Sequence, residues 1–163
     1  MAKIEIDAGS EYLARLNQLE RSLRKQVIER ALYTGAGIVA DAIREELKAL
    51  PVDNSWGTES DKAKGPTTYQ KKGLIDSLGV APMRETDGVI DVKIGFSGYN
   101  GLKTQRWPKG QPNQMVARSV ERGTTYMDGH SPIKKAMAKA KKPAIAAMEN
   151  TIDTEIKKIM EGE

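Results

Sequence analysis

The sequence contains no cysteine, which excludes disulfides, thiolate metal sites and a cysteine nucleophile together. It has one histidine, His130, so proton shuttling near neutral pH has a single ordinary carrier. Aromatic residues are only 5% of the chain, with one phenylalanine. The core must therefore be built from Leu, Ile, Val, Ala and Met, which favours packed helices beside a modest sheet. No run of about 18 apolar residues occurs, the least a membrane-spanning helix needs. The opening "MAKIEIDAGS" also lacks an apolar stretch of signal-peptide length. A soluble chain with no membrane partner is expected.

The motifs of cofactor chemistry are missing too. With one histidine and no thiol, a metal site would need carboxylates, and no Asp-rich calcium loop is present. "GAGIVA" has two glycines but neither the GxGxxG spacing nor a preceding strand, and no GxxxxGK[ST] occurs. No cofactor and no metal are expected.

What is present fits one domain, 1–163. The 163 residues suffice to bury roughly 70% of the surface of the unfolded chain. The net charge of +4 is mild and mostly interspersed, which does not by itself imply nucleic acid. "KIEID" alternates Ile4 and Ile6 with charges and reads as a short strand, at an edge or paired with a partner. Ser10 followed by Leu13, Leu16, Leu19, Leu23, Val27, Ala31, Val39, Ile43 and Leu47 reads as an amphipathic helix with an N-cap, ending at Pro51. Such a helix would span about 40 residues and roughly 60 Å. Gly35 and Gly37 each cost about 1 kcal/mol in a helix interior, so a kink or break is expected there. The alternative is close approach of another helix or subunit.

Residues 51–73 and 98–114 lack periodicity and are read as two long loops, carrying Trp56 and Trp107. Loops of that length are usually functional or disordered. Trp56 is expected to pack on its own domain or on a partner; exposed Trp and Arg are enriched at interfaces, so Trp56, Trp107 and Arg122 are candidate subunit contacts. Between the loops, alternating apolar residues flank Asp87-Gly88, predicting a hairpin over 78–97. "MVARSVERG" predicts a short helix closed by Gly123. Ser131 is expected to cap a final helix, with Pro132 at its first helical position and Ile133, Met137, Ala140, Ala144, Met148, Ile152, Ile156 and Ile159 as its apolar stripe. Pro143 predicts a kink or two helices meeting near Lys142. The fold class expected is α+β: a long N-terminal and a C-terminal helix on a small antiparallel sheet with a hairpin.

The stretch "SVERGTTYMDGHSPIKKAM" gathers Glu121, Arg122, Gly123, Thr124, His130 and Pro132. No spacing among Ser119, Glu121, Asp128 and His130 matches a triad or a metal pattern, so no enzymatic role is expected. The corner is read as a structural joint. Gly123 allows a reversal, Thr124 and Glu121 bond backbone groups, His130 helps enter the helix, and the joint holds that helix against the hairpin. Beyond it, Lys134, Lys135, Lys139 and Lys142 share much of one helical face and are candidate phosphate contacts, although their N-terminal position opposes the helix dipole.

The order of features resembles a family of small tail-completion or head-tail joining (neck) proteins of long-tailed bacteriophages. The residues that carry the resemblance are Gly73, Leu74, Ser77 and Leu78, then Val120, Glu121, Gly123 and Thr124, then His130, Pro132 and Ile133. Lys72, Arg122 and Ser131 depart from the family pattern. The resemblance implies a virion structural protein of the neck or upper tail, assembled in the bacterial host cytoplasm. It implies a homo-oligomer, by analogy a hexameric ring, between neighbouring neck, connector or tail-tube proteins. The alternative drawn from the lysines is a small basic nucleic-acid-binding protein.

Overall fold

The computed structural model describes residues 2–3, 17 and 19–162. The strand reading at Ile4 and Ile6 and the Ser10 helix start, with Leu13 and Leu16, lie outside the described residues. Among the described residues the elements are β1 (Ala2–Lys3), α1 (Arg21–Lys48), α2 (Thr68–Ser77), β2 (Leu78–Val80), β3 (Arg84–Thr86), β4 (Val89–Asp91), β5 (Lys93–Phe96), α3 (Asn113–Arg122) and α4 (Pro132–Glu161). The chain is an α+β protein with two long helices, a three-stranded antiparallel sheet and a separate two-stranded one.

Helices α1 and α4 run antiparallel, with Arg30 paired to Glu155 and Glu46 paired to Lys139. Their contact is made by two rows at four-residue spacing: Val27, Ala31, Gly35, Val39, Ile43 and Leu47 on α1, and Ala136, Ala140, Ala144, Met148, Ile152 and Ile156 on α4. All twelve are buried, so the apolar period alone defines the seam. Gly35 is where Met148 enters: a Cβ on Gly35 would stand 2.5 Å from the Met148 sulfur. The expected break is not found, because α1 continues through both glycines. Close approach of another helix is the reason for Gly35.

The expected break at Pro143 is not found either, since α4 is one helix from Pro132 to Glu161. Pro143 lies on the exposed face, where the Lys139 carbonyl that lost its N–H partner meets water. The buried alanines on either side, Ala140 and Ala144, keep the helix on α1.

The first loop is shorter than expected, because residues 68–73 belong to α2. Thr67 accepts from the Gln70 N–H and the Gln70 side chain accepts from the Thr67 N–H, a capping box that starts the helix. At the far end of α1, the Lys71 ammonium donates to the carbonyls of Lys48 and Leu50 at 2.7 and 2.8 Å, satisfying groups that a helix C-terminus leaves open. The second loop likewise ends earlier, at the start of α3, Asn113.

The hairpin forms around Asp87 and Gly88, both at positive φ (52° and 78°), the requirement of a type I′ turn. Strands β3 and β4 pair from Thr86–Val89 to Arg84–Asp91, while β2 and β5 continue the two arms with Leu78 opposite Phe96. β1 pairs on the other side of β5. The sheet order is therefore β1-β5-β2.

Candidate functional site

The corner between α3 and α4 is assembled from residues far apart in the chain. Helix α3 stops at Gly123, which has φ 79°; a Cβ there would stand 2.8 Å from the Gly129 nitrogen, so only glycine fits. The chain turns through Thr124, whose hydroxyl accepts from the N–H groups of Tyr126 and Met127. It returns with the His130 N–H donating to the Val120 carbonyl at 2.8 Å.

Ser131 occupies the N-cap position of α4 in a left-handed conformation but makes no side-chain cap. Its hydroxyl donates instead to the Glu121 carbonyl. The cap is Glu121 itself: its carboxylate accepts from the N–H groups of Ile133 and Lys134 at 2.8 and 3.1 Å. A negative charge at a helix N-terminus is favourable, and here it offsets the lysines that follow. Glu121 therefore ties α4 to α3, and Ile133 at the start of α4 faces a cleft shared with Leu78, Ile94 and Phe96 of the sheet.

The corner is also where the first loop is fastened. The Ala63 N–H donates to the Tyr126 carbonyl and the Asp128 N–H donates to the Ala63 carbonyl, at 2.9 and 3.0 Å. His130 Nε2 lies 2.6 Å from the Lys64 carbonyl oxygen, and Lys64 pairs with Asp128 at 3.5 Å. Inside the loop, the Asp53 carboxylate accepts from the N–H groups of Lys64 and Ser55. Those bonds hold its pKa below the ordinary carboxylate value, the Lys64 N–H contributing most. The single histidine is thus committed to a backbone carbonyl.

This fastening fixes the tip of the loop. Trp56 has φ 68°, uncommon for a bulky residue, and is 50% exposed. Gly57 beside it lies so close to the Tyr126 carbonyl that a Cβ would stand 2.0 Å from the oxygen. Tyr126 is itself exposed. A large aromatic is held in a strained backbone state and presented to solvent from a tied loop.

Trp107 is held elsewhere. Its loop is built on Asn100, whose side-chain oxygen accepts from the N–H groups of Leu102 and Gln111. The Gln111 side-chain oxygen accepts from Asn100 and from Gln70 of α2. Trp107 closes a turn with Thr104, is partly buried, and has the Arg106 guanidinium 5.7 Å from its ring centre. Thr67, Asn100, Gln111 and Asn113 are the buried polar residues of the described chain. Sequence reading singled out none of them; the T-x-x-Q spacing of Thr67 and Gln70 was the available signal. Gly73 is explained by the same region, since a Cβ on it would stand 2.5 Å from Asn113 Oδ1 and 2.7 Å from Asn100 Cβ.

Two concavities flank these elements. One of about 490 Å³ lies between α2 and the second loop, with Tyr69 and Tyr99 on its rim. A smaller one of about 180 Å³ opens among α3, the sheet and the start of α4. The lysines of α4 are all exposed, but Lys139 is committed to Glu46 of α1. Arg122 is exposed in the last turn of α3, a favourable place for a cation.

Among the described residues no cluster of three or more metal-ligating side chains occurs, and no described helix is long and apolar enough to cross a membrane. No family model, no curated protein and no solved structure matches the chain.

Proposed function

We propose that this chain is a bacteriophage virion structural protein of the neck or upper tail, a ring subunit in tail completion or head-tail joining. The observation that carries the reading is Trp56, half exposed at positive φ on a loop that backbone bonds fasten to the corner. Rigid, exposed aromatics are the usual anchors of protein interfaces, and backbone strain of this kind persists where the surroundings enforce it. The corner residues support the same reading, because each of Glu121, Thr124 and His130 is engaged in holding backbone. The mechanism is mechanical: identical subunits offer one patch to a different patch on the next, and a ring results when the rotation closes.

Molar mass measured by light scattering over a wide concentration range tests this. A particle of constant subunit number at high concentration is the expected result. A monomer at every concentration would overturn self-assembly into a ring.

The second reading, phosphate binding by α4, is favoured by Lys134, Lys135 and Lys142, which are exposed and have no ion-pair partner among the described residues. If these and Lys141 each neutralise one phosphate, log K against log salt on duplex DNA should fall with a slope of about −3.6. Binding that ignores salt would remove this reading.

A further inference from the structure

The smaller cleft combines apolar side chains with two arginines at its mouth and the Trp56 loop combines an exposed indole with two carboxylates, and the geometry points to a heterologous contact between two copies of this chain in which Trp56 of one enters the cleft of the next. The contact rests on the ring reading above and specifies its interface. The cleft, about 180 Å³, is walled by Leu78, Ile94, Phe96, Ala117 and Ile133. Ile43 of α1 closes its floor and Gln114 and Arg118 add polar groups, so the wall is mixed and drawn from five elements, with room for a large side chain.

Its mouth is basic. Arg118, which lines the cleft, and Arg122 one turn further along α3 are exposed. Among the described residues neither has a carboxylate partner. The loop that bears Trp56 carries a net negative charge at its tip, where the exposed Glu59 and Asp61 outnumber the exposed Lys62 and none of the three has an ion-pair partner among the described residues. Placing Trp56 in the cleft brings these carboxylates toward the two arginines. Opposed charge of this kind steers encounter and fixes register, while the buried aromatic holds the complex together.

The occupant must come from a second molecule. Trp56 is half exposed in its own chain, and no residue of its loop lines the cleft. Knob and hole are therefore different patches, and repeated use of both gives a ring or, if the rotation does not close, a filament. The knob is also pre-organised: the Ala63–Tyr126, Asp128–Ala63 and His130–Lys64 bonds hold the loop before any partner arrives, which lowers the ordering cost of association.

The test uses the full chain carrying Trp107→Phe, which leaves Trp56 as the sole tryptophan. Its emission and acrylamide quenching are followed with light scattering as concentration rises. Emission should move to the blue and quenching should fall in step with assembly. Arg118→Glu should weaken assembly about tenfold or more, and adding Glu59→Arg should restore it. The rescue separates a lost contact from a misfolded variant. Assembly with Trp56 still fully quenchable would overturn this contact and leave the ring reading standing. Absence of assembly at any concentration would overturn both.

Discussion

Glu121 shows how much a single side chain can determine. Its carboxylate takes the two N–H groups that open α4, the work usually done by a Ser or Asp one residue before the helix. Glu121→Ala should therefore lower stability by about 1 kcal/mol, the usual worth of an N-cap, read as a shift in the urea midpoint. Ser131→Ala should cost less, since Ser131 makes no cap. The two glycines of α1 give a sharper contrast. Nothing lies within 4 Å of a Cβ on Gly37, so Gly37→Ala should stabilise by about 0.5–1 kcal/mol through helix propensity alone. Gly35→Ala should destabilise, because Met148 must leave its seat. A thermal melt of each variant reads both signs. The sequence presented these glycines as equals; only the register of α1 against α4 distinguishes them. Glu121 was legible as a side chain that bonds backbone, and the structure supplies the partners, the N–H groups of Ile133 and Lys134; the Lys71 contact with the end of α1 was hidden, since it joins residues of different elements.

At the scale of elements, the long periodic segments were legible and the punctuation was less so. The apolar rows of α1 and α4 stand where their spacing put them, and the Asp87-Gly88 hairpin formed because the dipeptide suits positive φ. Pro143 does not divide the segment into two helices, because it occupies the exposed face, and exposure is not written in the local sequence. Residues 68–73 were read as loop because polar composition outweighed the Thr67–Gln70 capping box. The first loop has structure of its own through Asp53, whose pKa is lowered mainly by the Lys64 N–H. A carboxylate with a lowered folded pKa contributes stability above its unfolded pKa and loses it as pH falls through the folded value. Acidification below the ordinary aspartate range should therefore release the loop ahead of the core, seen as lost amide protection at Ser55 and Lys64 relative to the intrinsic exchange rate at each pH. Asp53→Asn should abolish that acid step. Unchanged protection on acidification would show that the Asp53 bonds do not hold the loop.

For the whole molecule, the seam between α1 and α4 is the main body of the core, and Met148 at its middle fills the space left by Gly35. Met148→Ala should cost about 2–5 kcal/mol, as buried large-to-small changes do, and should weaken assembly only through stability. Trp56→Ala should do the reverse, leaving the melt nearly unchanged while weakening assembly. That division follows from where each residue sits, one in the seam and one at the tip of a fastened loop. The fold class was legible from composition and period. Gly123 and Pro132 are local signals and were legible, Ser131 misled as a cap because its hydroxyl turns to the Glu121 carbonyl, and the fastening of the first loop to the corner depends on backbone bonds between residues 63–64 and 126–130 that no spacing announces. Copies of this chain are proposed to close into a ring. Negative-stain images of the concentrated protein test it most directly. Closed rings of one diameter with a central opening are the predicted result; isolated single subunits or open filaments without closure would contradict it.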